Sequence, residues 1–375
     1  MNRPAFDWWL FGLALLLSLS GLVYVYSAAW KPEAQPGPFF GPMFIKQAAF
    51  LAVSLIVFYF ARRINWGLRP GSYWWFIGPA VVLLLLVLVR SVSVKTNGAS
   101  SWINLGPVEM QPSEFAKLAF VLSLAWLYSD DHGVNWRHYR SALAVLLLLL
   151  ALVLAQPDLG TGMVFVFTFF VVSALAALPK RYIVLTGLAF VLLSVPAWFV
   201  LKDYQKKRLT SFIFPDQDPR GAGYQQTQSL VAIGSGGLTG KGFLRGTQVQ
   251  RHYVPVVESD FIFALVGEEF GFVGCGYVLL LYFLLLMRIL ALGQQANTPY
   301  ERYVCYGASA VILCHMLIAA GMTVRLMPIT GLPLPFISYG GSSLLTMWLL
   351  IAICEAVYAN SRRSLHTARR PMLLR

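Results

Sequence analysis

GAGYQQTQSLVAIGSGGLTGKGFLRGTQVQRHYVPVVESD, residues 221–260, is polar and glycine-rich, and it interrupts a chain that is otherwise dominated by apolar runs. Seven such runs precede it and three follow. A connection this long with little secondary-structure signal is uncommon in a compact fold and is often functional. Its neighbours decide what kind of fold it belongs to. Working outward, the apolar runs cover residues 7–30, 42–60, 73–90, 113–128, 139–156, 159–178, 181–201, 262–288, 302–324 and 341–360. A membrane-crossing helix needs about 20 mostly apolar residues. The stretch Ala142 to Ala155 is continuously apolar and lacks the alternation of a barrel strand, so helices are expected. The chain is 58% hydrophobic and 12% charged, about half the usual charge of roughly 25% in soluble domains. The expectation is an all-α integral membrane protein: ten transmembrane helices in one polytopic domain over 1–375, with a large extracytoplasmic loop, 202–261, between the seventh and eighth.

The formal net charge is +13, and its placement orients the chain. With the N-terminus in the cytoplasm, Arg62, Arg63, Arg69, Arg137, Arg140, Lys180, Arg181, Arg288 and Arg302 fall inside. A basic cytoplasmic tail over 361–375 adds Arg362, Arg363, Arg369, Arg370 and Arg375. The short outer loops carry only scattered cations such as Lys31, Arg90 and Lys95. This is the positive-inside pattern, so the charge needs no nucleic-acid partner. Both termini are then cytoplasmic, and the outer face receives 31–41, 91–112, 156–158, 202–261 and 325–340. Polar, glycine- and proline-punctuated sequence is concentrated there, which points to work at the extracytoplasmic face. The first run reads as a true span rather than a cleaved signal. Cys275, Cys305, Cys314 and Cys354 all lie in apolar runs without metal-type spacing and read as small buried hydrophobes. GSGG at 234–237 lacks the spacing of a nucleotide cradle.

Several ionisable residues stand where polar sequence meets apolar helix. Asp260 lies at the entrance of the eighth run, where partial burial raises a carboxyl towards a general base. The same position suits a helix N-cap, and the two roles are compatible. Glu114 and Lys117 sit three apart on one helix face and can pair, either to support a cavity or as architecture. Arg325 at the outer end of the ninth run suits a diphosphate clamp or snorkelling to the interface. Lys202, Lys206, Lys207, Arg208, Lys241, Arg245 and Arg251 give the long loop a positive field, suited to anionic substrate or to anionic lipid. Glu268 and Glu269 cannot both face lipid cheaply; they line a cavity, carry protons, hold a cation or are buried against loop amides. His315 reads as a packed, hydrogen-bonded residue. No metal-type cluster and no serine–histidine triad is visible.

Five segments in order then identify the chain as a member of a family: GASSWINLGPVEMQPSEFAKL (98–118), QPDLGTG (156–162), FPDQDPRGAGYQQTQSLVAIGSGGLTGKGFLRGTQ (214–248), SDFIFALVGEEFGFVG (259–274) and PITGLPLPFISYGGSS (328–343). They resemble the SEDS proteins (shape, elongation, division and sporulation), and Gly246-Thr247-Gln248 favours the rod-shape branch over the division branch. The resemblance covers essentially the whole chain. It implies a ten-helix fold with a large extracytoplasmic loop, and an inverting peptidoglycan glycosyltransferase of the inner membrane. Its substrates would be lipid II and an undecaprenyl-diphosphate-linked glycan. Its implied partners are a class B penicillin-binding transpeptidase and other elongation-complex proteins. Asp260 matches the family's essential loop aspartate, and Glu114 and Lys117 match its acid and lysine after QPS. Lys241, Arg245, Glu258 and Arg325 join them as candidate substrate-binding or cavity-supporting residues. No organic cofactor is implied; a basic clamp or a divalent cation (Mg2+ or Mn2+) would serve the leaving diphosphate. Three positions depart from the family pattern: Val256 replaces an acid, and Ala319 and Arg325 replace an asparagine and a glycine. Lipid-linked precursor transport is the main rival reading, because ten spans with broken helices also suit a flippase. The one-sided polar sequence argues against it. A non-catalytic scaffold is the third.

Overall fold

Each of the ten apolar runs folds as a helix in the computed structural model: α1 (Trp8–Ala29), α2 (Pro42–Ala61), α3 (Trp74–Leu88), α4 (Pro112–Leu127), α5 (Trp136–Ala155), α6 (Leu159–Leu175), α7 (Lys180–Val200), α11 (Ile262–Gln294), α12 (Pro299–Thr323) and α13 (Gly341–Arg369). The long segment between α7 and α11 adds α8 (Asp203–Ile213), α9 (Ala222–Gly236) and the short α10 (Thr247–Gln250). The structure describes residues 5–30, 41–64, 66, 73–89, 93–96, 99–104, 106, 109–130, 134–176, 178–214, 221–251 and 253–369. Of the residues named from the sequence, Lys31, Arg69, Arg90 and tail residues 370–375 lie outside these.

Local chemistry sets the helix starts. The Asp7 carboxylate accepts from the amides of Trp9 and Leu10 and caps α1. Asn135 and His138 form a capping box on α5, and Thr298 followed by Pro299 opens α12. Pro42 and Pro112 stand in the first turns of α2 and α4, where a missing N–H costs nothing. Among the described residues, α1, α2, α5, α11, α12 and the Gly341–Arg363 part of α13 are long and apolar enough to cross a membrane, and α3 and α6 are shorter apolar helices. The outer faces confirm the solvent: Ile56, Phe60, Leu192, Val195, Phe283 and Met287 are exposed. Lipid rather than water must cover such a surface.

The interior is equally apolar, with Trp348, Phe120, Phe165 and Tyr282 fully buried. α11 packs on α12, α9 and α1, α13 on α2, and α4 on α3 and α12. The chain is thus an all-α, multi-spanning helical bundle, as expected, with one addition. A small antiparallel sheet, β1 (Ser93–Thr96), β2 (Ala99–Asn104) and β3 (Glu109–Met110), sits between α3 and α4 in the order β1-β2-β3. Its short strands, broken by glycine and proline, gave no periodic signal in the sequence.

The polar loop is tied down rather than extended. Gln226 Nε2 donates to the Met327 carbonyl (2.9 Å) and Ser229 Oγ to that of Thr323 (2.9 Å), fixing α9 against the end of α12. A stretch with little secondary-structure signal in the sequence thus holds α9, a 15-residue helix packed into the bundle. It meets α11 where α11 breaks. Gly271 has φ +65 inside that helix. A Cβ there would fall 2.3 Å from the Gly240 nitrogen and 2.6 Å from the Leu238 oxygen. Only glycine permits both this conformation and this approach. Just past the break, the α11 amides of Phe272 and Val273 donate to the loop carbonyls of Gly237 and Leu238 (2.9 and 3.1 Å).

Candidate functional site

Three helix N-termini and three loops converge on one cavity of about 260 Å³. Its walls come from β2 (Ser101, Trp102), Gln111 before α4, the start of α6 (Pro157–Met163), α8 (Gln205, Arg208, Leu209), the turn before α11 (Val256, Ser259, Asp260) and the loop after α12 (Pro328–Gly331). Helix N-termini present free amides and a partial positive charge, so α4, α6 and α11 together bias this space towards an anion.

Asp260 is half-buried in this cavity. Ser259 Oγ donates to its Oδ1 (2.8 Å), and a Cβ at Gly331 (φ +73) would stand 3.6 Å from its Oδ2. Burial pushes its carboxyl above the usual carboxylate range. The Ser259 hydrogen bond and the Arg208 charge oppose that rise, and Glu258 adds to it. The capping alternative is not realised: the N-cap of α11 is Phe261, with no side-chain capping bond. Instead the amides of Ser259, Asp260 and Phe261 all converge on the Val256 carbonyl (3.4, 3.1 and 3.4 Å). Val256 has φ +53, a strained conformation for a β-branched residue, at the cavity wall. The turn is stapled to the loop after α12. The Tyr339 amide donates to the Glu258 carbonyl (2.8 Å), and Ser338 Oγ donates to the Ser259 carbonyl while accepting from the Leu334 amide (2.9 Å). Gln47 of α2 clamps the same loop, bonding the Ser338 carbonyl (3.1 Å) and the Gly340 amide (3.2 Å).

Asp158 is the cavity's other carboxylate. It caps α6, with Oδ1 accepting from the Thr161 amide (3.0 Å). Its Oδ2 accepts from Thr161 Oγ1 (2.8 Å), Gln111 Nε2 (3.1 Å) and Ser113 Oγ (3.4 Å). Its lone pairs are filled, which leaves Asp260 as the under-bonded carboxylate. Sequence reading named the QPDLGTG segment but not Asp158. The available signal was the Asp-x-x-Thr spacing of a helix cap.

Glu114 and Lys117 pair as expected (2.8 Å) and are essentially inaccessible. The Lys117 ammonium also reaches His315 Nε2 (2.7 Å), and His315 Nδ1 faces the Pro333 carbonyl (3.2 Å). Lysine can only donate, so Nε2 accepts and Nδ1 carries the proton given to Pro333. This buried chain therefore anchors the loop that carries Pro328–Gly331, without itself lining the cavity. His315 is packed and hydrogen-bonded, as expected, and its partner is Lys117.

The other candidates separate from Asp260. Lys241 meets Glu268 Oε1 (2.6 Å) and Thr247 Oγ1 (2.8 Å). Glu268 also accepts from Thr247 Oγ1 (3.2 Å) and the amides of Gln248 (2.8 Å) and Val249 (3.0 Å). Glu269 takes Ser27 Oγ (2.7 Å) and Gln250 Nε2 (3.3 Å). Both are burial against loop donors, one of the readings left open by the sequence. Arg245 is exposed on that loop. Glu258 acts on Asp260 through its charge. Arg325 is half-buried beyond the cavity wall with φ +60. A left-handed backbone of this kind favours glycine, the residue the family resemblance implies here. Among the loop cations, the one that faces Asp260 in the cavity is Arg208.

These features define a multi-pass helical membrane protein with an anion-biased cavity between its loops, in which Asp260 is the under-bonded one of two carboxylates. The sequence pattern of the cell cycle protein family of FtsW, RodA and SpoVE matches residues 7–363, and the chain belongs to that family. It is 34% identical over 353 residues to the peptidoglycan glycosyltransferase MrdB of Escherichia coli (strain K12), covering 93% of each chain. It resembles a chain of a peptidoglycan synthase complex studied for coordinated polymerization and crosslinking (TM-score 0.78, 31% identity, 96% of this chain and 99% of that one). It also resembles the rod shape determining protein RodA of Thermus thermophilus (TM-score 0.71, 28% identity, the same coverage).

Proposed function

We propose that this chain is a peptidoglycan glycosyltransferase that polymerises lipid II into β-1,4 glycan strands at the outer face of the inner membrane during cell elongation. The observation that carries the reading is Asp260: a half-buried carboxyl, raised by burial, with one side-chain donor and an anion-biased cavity before it. The donor is the growing glycan on undecaprenyl diphosphate, and the acceptor is the 4-hydroxyl of N-acetylglucosamine in lipid II. Asp260 takes the hydroxyl proton as the oxygen attacks the anomeric carbon. The anomeric carbon–oxygen bond breaks, its electron pair leaves on the diphosphate, and the α-linkage becomes β. Arg208 and the amide-bearing helix starts offset the developing negative charge. A divalent cation (Mg2+ or Mn2+) carried on the substrate diphosphate would find Asp260 as its one unfilled carboxylate here and would neutralise the leaving group. Asp158 is already saturated.

In this reading the ten long helices cross the membrane, both termini are cytoplasmic, and 202–261 is extracytoplasmic. The positive-inside charge supports that orientation, and the cavity then opens on the outer side. Glu114, Lys117 and His315 hold the cavity wall. Lys241 holds the loop through Glu268, while Arg245 and Arg325 remain available to substrate anions. Gly246-Thr247-Gln248 supports the rod-shape branch. The similarity to a chain of a peptidoglycan synthase complex supports a class B penicillin-binding transpeptidase as partner within the elongation machinery.

The test uses the purified chain, alone and with its cognate transpeptidase, incubated with labelled lipid II. Glycan polymer formed by the native chain and lost in Asp260→Asn is expected. A near-normal rate in a folded Asp260→Asn protein would sink the general-base role. No polymer from either preparation of the native chain would favour transport, which a two-sided liposome flipping assay reads directly.

A further inference from the structure

A second cavity lies at the end of the bundle opposite Asp260. α13 begins beside the first cavity, where Ser342 Oγ accepts from the Gln111 amide (3.2 Å). At 1.5 Å per residue, Glu355 stands roughly 20 Å further along that helix. There a pocket of about 110 Å³ is lined by Arg62, Arg63, Ile64, Glu355, Ala356, Ala359, Asn360 and Arg363. Taking about 10–15 Å³ as the space one water needs, it holds a group of several heavy atoms.

Its electrostatics are unbalanced. Even without counting Arg363, the two guanidinium groups of Arg62 and Arg63 stand in the wall beside one carboxylate, Glu355. Two further acids lie close by: Asp7 is taken by Arg288 (2.6 Å) and by capping α1, and Glu301 Oε1 accepts from Asn360 Nδ2 (3.2 Å); neither lines the pocket. Arg62 packs against the Phe6 ring (4.8 Å) and Arg63 against that of Tyr59 (4.1 Å), and neither has a carboxylate partner among the described residues. Two polar atoms in the wall are buried without a protein hydrogen-bond partner: Arg62 Nε, a donor, and Glu355 Oε2, an acceptor. Glu355 is 1% exposed, and its other oxygen is occupied by the Asp7 amide (2.7 Å). A buried polar group left unmatched is costly, so an orphan donor and an orphan acceptor in one wall specify a ligand that is both acceptor and donor.

We propose that this pocket binds a phosphodiester whose neighbouring group carries a hydroxyl, the chemistry of an anionic phospholipid headgroup such as phosphatidylglycerol. The phosphate oxygens accept from Arg62 and its neighbouring arginines, whose planar forks suit them. The adjacent hydroxyl donates to Glu355 Oε2. The excess positive charge selects a net-negative headgroup over a zwitterionic one. The apolar outer face of α2 beside the pocket, where Ile56 and Phe60 are exposed, leaves the acyl chains in lipid. This site shares no lining residue with the Asp260 cavity.

The experiment titrates the intact, detergent-solubilised chain with short-chain phosphatidylglycerol, phosphatidylethanolamine and phosphatidylcholine, and with glycerol 3-phosphate and inorganic phosphate, reading binding and thermal shift. Phosphatidylglycerol should bind at least about tenfold more tightly than either zwitterionic lipid. Arg62→Gln with Arg63→Gln should abolish that preference, whereas Arg137→Gln with Arg140→Gln, exposed cations elsewhere, should keep it. Glu355→Gln removes the wall's negative charge and should keep the preference for the net-negative lipid while retaining affinity for the phosphate. Equal binding of the three lipids overturns the proposal, and this series needs no variant. So does full affinity in the folded Arg62/Arg63 double variant. Equal midpoints for glycerol 3-phosphate or inorganic phosphate overturn the headgroup assignment in favour of a soluble anion.

Discussion

Asp260 and Glu268 flank the same helix start, yet their surroundings are opposite. Glu268 is fully buried and accepts from Lys241, Thr247 and the amides of Gln248 and Val249. Asp260 receives one hydroxyl, from its neighbour Ser259, and otherwise faces a cavity. A saturated carboxylate spends its charge on holding a loop in place. An under-bonded one keeps it for a ligand. The lesson is that intramembrane charge by itself does not mark chemistry; the count of donors already in place separates support from reaction.

The largest expected contrast is in rate. Asp260→Asn should lower polymerisation by about 10²–10⁴-fold, the usual range for a lost general base. Glu268→Gln should lower thermal stability instead, with polymer formed per folded molecule changed by less than about tenfold, well short of that range. Comparable rate losses in both variants would break the contrast. Next comes the buried chain behind the cavity. Lys117→Met strands the Glu114 carboxylate and should cost roughly 3–5 kcal/mol of stability, much of it recovered in Glu114→Gln with Lys117→Met. Denaturation in detergent checks both. Lys241 is partly exposed, so Lys241→Met should cost less, about 1–3 kcal/mol.

The pH dependence sharpens the same comparison. The folded-state pKa of Asp260 is raised. Its charged form is therefore disfavoured by folding, and its contribution to stability declines as pH rises from the ordinary carboxylate range through the raised value. The rate moves oppositely, rising with pH as the base ionises. Asp260→Asn should flatten that decline and melt no lower than the native chain at neutral pH. The smallest effect is at Arg325. Replacing it by glycine relieves a left-handed arginine, about 1–2 kcal/mol, against a glycine entropy cost of about 0.4–1 kcal/mol. Arg325→Gly should thus stabilise by roughly 0.5–1 kcal/mol in thermal unfolding.

The helices were legible because continuous apolar runs have one stable solution in lipid. Asp260 was legible as a carboxylate at a helix entrance, and Glu114 with Lys117 as a three-residue pair on one face. The role of Lys241 was not, because its partner Glu268 lies on α11, across a glycine turn whose path depends on tertiary contacts. Arg208 was one cation among several in KDYQKKR; only the rotation of α8 decides which one points at Asp260. Asp158 was hidden by its own success as a cap. The strands between α3 and α4 were too short for a period to show.

The break at Gly271 has a consequence for insertions and deletions. Below it, residues 272–294 run roughly 35 Å at 1.5 Å per residue, enough for one crossing of a ~30 Å core. Above it, residues 262–270 form a separate short leg that carries Glu268 and Glu269. Angular phase is therefore counted afresh at the glycine. Deleting one residue below it would swing Arg288 by about 100° away from Asp7. A change above it leaves that phase untouched and displaces only the loop. The protein can thus vary the architecture at the Asp260 end of this helix without resetting the azimuth of its Arg288 end.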